Sequence, residues 1–81
     1  MADDDMAARI EAQVVAVNVL LRKKGGAGLE VRVLRDGERL WVRTDLVERD
    51  GTRRMRQESP QLTPEKALAY LRDMESALRR A

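Results

Sequence analysis

The side chains able to do chemistry in this sequence are arginines, carboxylates and a single tryptophan; histidine and cysteine are both absent. That absence removes thiolate nucleophiles, imidazole acid–base steps, disulfides and the usual zinc sites. Two carboxylates tuned apart in one pocket can still do acid–base work. Asp45, Glu48 and Asp50 cluster only along the sequence, and each has an arginine nearby. The chain therefore reads as non-enzymatic, with no cofactor, no metal site and no small-molecule substrate.

Arg32, Arg39, Arg43, Arg54 and Arg56 around Trp41 form the candidate binding set. An indole can stack on bases while guanidinium groups hold phosphates, so the set suits a nucleic acid. The same arginines can instead neutralise Glu30, Asp45 and Glu58 across neighbouring strands. Five arginines against three acids leave that face only +2. Trp41 beside Leu34 and Val47 inside an arginine rim also has the make-up of a protein-interface hot spot. Lys23-Lys24-Gly25-Gly26-Ala27-Gly28 has the composition of a phosphate-cradling loop in the wrong order. It follows a helix and enters a strand, so it reads as a helix stop.

Three strands must carry that face. Asp36-Gly37 and Asp50-Gly51 are two-residue type I′ turn signals between strand-like runs. Centring a hairpin on each pairs Val33 with Leu40, Val31 with Val42 and Leu29 with Thr44. The second hairpin pairs Leu46 with Met55 and Thr44 with Gln57. The opposite face then sets Glu30 against Arg43, Arg32 against Trp41, Leu34 against Arg39, Arg43 against Glu58, Asp45 against Arg56 and Val47 against Arg54.

Residues 4–23 read as a helix, after a flexible acidic tail over 1–4. Met6, Ile10, Val14, Val17 and Leu21 make one apolar stripe. Ala8, Ala12, Val15 and Val19 make a second, roughly 160° round the helix at 100° per residue. A helix apolar on two sides needs cover on two sides. Leu62-Thr63-Pro64-Glu65 opens a last helix with a threonine N-cap and proline at the first position. Ala67, Leu71, Met74 and Leu78 form its apolar stripe, with Leu68 beside it and Tyr70 at the core edge.

The expected fold is a single α+β domain over 1–81, ordered α-β-β-β-α, with both helices on one face of an antiparallel meander. This order resembles the topology of the double-stranded-RNA-binding domain over nearly the whole chain. The residues by which that family holds RNA do not recur. The first strand–strand loop is Asp36-Gly37, the last helix opens Pro64-Glu65-Lys66 with one lysine, and the first helix is apolar on two sides. Small toxin nucleases of similar fold depend on a histidine that this chain lacks.

A chain of 81 residues buries only about 60% of the surface its unfolded form exposes, so its core is small. With no cysteine or histidine to reinforce it, self-association is the remaining support. Net charge is +2 from sixteen basic and fourteen acidic residues, a mixed surface rather than a strongly basic one. The start Met1-Ala2-Asp3-Asp4-Asp5 is acidic where a signal peptide is positive. Val14 to Leu21 is too short to span a bilayer. The expectation is a cytoplasmic protein-interaction module without membrane contact, binding a second copy of itself or another protein. Nucleic acid is the alternative partner.

Overall fold

A computed structural model describes the backbone of residues 2–24 and 28–81, and the side chains of these from residue 5 onward. The elements are α1 (Ala2–Lys23), β1 (Leu29–Asp36), β2 (Arg39–Val47), β3 (Arg53–Glu58) and α2 (Pro64–Arg80). The strands form one antiparallel sheet in the order β1-β2-β3. The helices pack on each other, α1 against β1 and α2 against β2. The α+β meander with two helices on one face is therefore the fold. No helix among the described residues is long and apolar enough to cross a membrane.

The core is built from three apolar stripes that meet. Ile10, Val17 and Leu21 come from α1, Val31, Leu40 and Val42 from the sheet, and Ala67, Leu68 and Leu71 from α2. Met6, Val14, Met74, Leu78 and Tyr70 close its margins. A fully buried leucine such as Leu40 or Leu71 contributes about 1.5–3 kcal/mol by leaving water. Helix α1 begins at Ala2, two residues ahead of the expected start. The stop expected at Gly25-Gly26-Ala27 lies outside the described residues. The start of α2 is as expected: Lys66 N–H donates to Thr63 Oγ1, and Pro64 is the first helical residue.

β1 and β2 follow the expected alternation, β3 follows it only on the Gln57–Glu58 side of a bulge, and both registers differ from expectation. The first hairpin closes over Gly37-Glu38, pairing Asp36 with Arg39, Leu34 with Trp41, Val33 with Val42, Val31 with Thr44 and Leu29 with Leu46. Gly37 has a φ of +64°, and no described non-glycine residue has a positive φ. That is the type II′ pattern, which asks a left-handed backbone of the glycine alone, whereas type I′ asks it of Asp36 as well. The slip is two residues, so every side chain keeps its face.

The second hairpin closes over three residues, Arg49-Asp50-Gly51. Glu48 N–H donates to Thr52 O at 2.8 Å, and Gly51 N–H donates to Glu48 O at 2.9 Å. Gly51, at φ +89°, takes the left-handed position that ends a three-residue loop. This odd shift would turn β3 over. A β-bulge between Thr44 and Asp45 absorbs it, leaving Arg56 as the extra residue. Arg43–Glu58 and Thr44–Gln57 pair as expected. Beyond the bulge Asp45 faces Met55, Leu46 faces Arg54 and Val47 faces Arg53, so Leu46–Met55, Asp45–Arg56 and Val47–Arg54 do not form.

Two polar side chains complete the sheet where strands cannot. Asn18 of α1 donates from Nδ2 to Val31 O at 3.0 Å and accepts from Val31 N–H at 2.7 Å. Its amide stands in for a neighbouring strand at the β1 edge, which removes a template for edge pairing. After β3 the chain follows β2 toward α2, where Pro60 has no N–H to give. Ser59 N–H donates to Val42 O and Ser59 Oγ accepts from Val42 N–H, both at 2.8 Å. Leu62 and Leu40 then exchange two backbone bonds.

Candidate functional site

The open face of the sheet carries Glu30, Arg32, Leu34, Trp41, Arg43, Asp45 and Arg53. At its centre Asp45 is wholly excluded from solvent. Its cover is a layer of arginine side chains rather than hydrophobic core. Arg43 Nε donates to Asp45 Oδ1 at 2.9 Å. Arg32 Nε lies 3.1 Å and Arg53 Nη1 3.5 Å from Oδ2. The Arg32 contact is not aligned for a hydrogen bond, so Arg32 Nε and Asp45 Oδ2 are paired by charge alone. Arg53 also reaches Glu30 Oε1 at 3.1 Å, and Arg43 Nη1 stands 4.0 Å from Glu58 Oε2.

Burial by itself raises the pKa of Asp45. The hydrogen bond from Arg43 and the charges of Arg43, Arg32 and Arg53 outweigh it and hold the carboxyl below its ordinary value. The three arginines of this network (32, 43, 53) match its three acids (30, 45, 58). The cluster is electrically closed.

The expected arginine platform is therefore redistributed. Arg32 and Arg43 lie in the Asp45 cluster. Arg39 donates to Gln61 Oε1 at 2.9 Å, at the end of the sheet. Arg54, opposite Leu46, is on the helix side and meets Glu48 at 3.0 Å. Arg56 is exposed at the bulge. Arg53 takes the place expected for Arg54, because the bulge shifts β3 by one residue. Trp41 is half-buried and sits across from Leu34, and Met55 is 55% exposed opposite Asp45. Glu30–Arg43 and Asp45–Arg56, expected as ion pairs, are replaced by Glu30–Arg53 and by Asp45 with three arginines.

The second candidate surface is the outer side of α1. Ala8, Ala12 and Val15 are exposed there, Val15 to 60%, and Val19 is half-buried. The opposite stripe of the same helix, with Ile10, Val17 and Leu21, is spent in the core. Helix α2 meets α1 on the flank marked by Gln13, whose Nε2 donates to Glu75. That bond and the Arg79 guanidinium hold the Glu75 carboxyl below its ordinary value.

No family model, no curated protein and no solved structure matches this chain.

Proposed function

We propose that this chain is a small non-enzymatic protein-interaction module that associates with a second copy of itself through the outer side of α1. The observation that carries the reading is the exposure of Val15 with Ala8 and Ala12 on a helix whose other stripe is already buried. An apolar stripe on a fully formed helix has no folding role left to fill. Covering it also adds the buried area that an 81-residue core is short of. Light scattering on the gel-filtered protein tests this. A dimer at tens of micromolar that Val15→Asp converts to a folded monomer supports it; a wild-type monomer at that concentration refutes it.

Nucleic-acid binding on the sheet face ranks second. Trp41, Arg39 and Arg56 remain available to it, but Arg32 and Arg43 are drawn onto Asp45. A steep loss of affinity with salt, and its abolition by Trp41→Ala, are what that reading requires.

A further inference from the structure

The self-association reading leaves the orientation of the two helices open, and the charge layout of α1 supplies it. We infer that two copies pack their α1 helices antiparallel about a two-fold axis, with Asp5 of one copy beside Lys23 of the other. This inference rests on the reading above and adds the geometry of the contact.

The apolar residues fix the centre. In an antiparallel pair the numbers of facing residues have a constant sum. Ala8 with Val19 and Ala12 with Val15 both sum to 27, so one axis between residues 13 and 14 matches all four positions to one another. Ala8 and Ala12 are small enough for close approach beside the two valines, and large faces small at each level. At 100° per residue, Asp5 and Lys23 fall at the same angle on the helix, roughly 50° to one side of the stripe. Antiparallel packing brings like flanks of two copies together, and 5 plus 23 sums to 28, the same level within a residue. Both side chains are exposed. Among the described residues, Asp5 is paired with its own-helix neighbour Arg9, 3.1 Å away. Each two-fold contact contains this pair twice.

A parallel two-fold pair instead brings opposite flanks together at the same level, so the acidic first turns meet each other and Lys23 of one copy meets Arg22 of the other, like charge against like at both ends. It also aligns the two helix dipoles, which antiparallel packing opposes. The favourable ends and the matched apolar centre select the same arrangement.

Charge reversal and disulfide trapping test the inference. Lys23→Glu puts Glu beside Asp5 twice per dimer and is expected to raise the dissociation constant about tenfold or more. Asp5→Lys does the same, and the double variant Asp5→Lys/Lys23→Glu restores dimerisation. Both substitutions oppose the helix dipole, so recovery in the double variant reports the contact and not helix strength. The chain has no cysteine, so single-cysteine variants give clean trapping. An equimolar mixture of Ala8→Cys and Val19→Cys proteins forms the mixed disulfide. Ala8→Cys alone does not, because two copies of residue 8 lie about 16 Å apart along an antiparallel pair, beyond disulfide reach. A wild-type dimer that ignores both reversals, or that traps Ala8→Cys with itself, overturns the antiparallel contact while leaving self-association standing. A wild-type monomer overturns both.

Discussion

Replacing Asp45 by asparagine removes one negative charge from beneath three arginines while keeping the size of the side chain. The bond from Arg43 Nε, at 2.9 Å to a carboxylate no water reaches, is the strongest single loss at about 1.5–3 kcal/mol. The contacts of Arg32 and Arg53 at 3.1 and 3.5 Å become contacts with an amide that presents N–H groups to cations. Breaking a buried pair on one side costs about 3–5 kcal/mol where the stranded charge cannot move. Here the arginine side chains are 29–39% exposed and can turn to water, so the expected cost of Asp45→Asn is about 2–3 kcal/mol. At about 4–8 °C per kcal/mol for a domain of this size, Tm falls by about 10–20 °C. Circular dichroism melts measure it. The pH dependence gives an independent check. The folded carboxyl titrates below its ordinary value of 3.8, so its contribution is complete above that pH and is lost as pH falls through the depressed folded value. The gap between wild type and Asp45→Asn should stay flat from neutral pH to about pH 5 and close below 3.8. A Tm change under about 3 °C, or a gap that persists in acid, refutes Asp45 as the anchor of the face.

Three further substitutions follow from the fold. Asn18→Ala leaves Val31 N–H and C=O without partners at the β1 edge and is expected to cost about 1–3 kcal/mol, with faster hydrogen exchange at Val31 as the local readout. Gly28→Ala places a methyl group 2.9 Å from Val47 O at a φ of +85°, and denaturant melts should show a loss of about 1–3 kcal/mol. Ser59→Ala strips Val42 N–H of its acceptor; stability should drop by about 1–2 kcal/mol and the Val42 amide should exchange faster, whereas an unchanged exchange rate refutes the role given to the hydroxyl.

The sequence by itself determined the element order, the buried stripe of α1, the cap of α2 and which residues of β1 and β2 face the helices. Each is written in local periodicity or in a capping residue, and each needs no knowledge of a partner strand. Register needed the tertiary structure, and the reason is the period of a strand. Sliding β1 by two residues against β2 leaves every side chain on the same face, so alternation is blind to the difference between closing at Asp36-Gly37 and at Gly37-Glu38. The choice fell to backbone strain at Asp36, which type II′ avoids. At the second turn an extra loop residue shifted β3 by one, and only a bulge opposite Thr44 and Asp45 could restore the pairing nearer Glu58. That bulge sent Met55 outward, exchanged Arg54 for Arg53 and brought Arg53 over Asp45. Alternation did place Asp45 on the open face. That it would be the buried centre of that face depended on three arginines arriving from three strands, a convergence no single stretch of sequence contains. Asn18 likewise looked like an interruption in an apolar run until β1 was set beside it. The outer stripe of α1 was legible from spacing alone, and the structure left it uncovered.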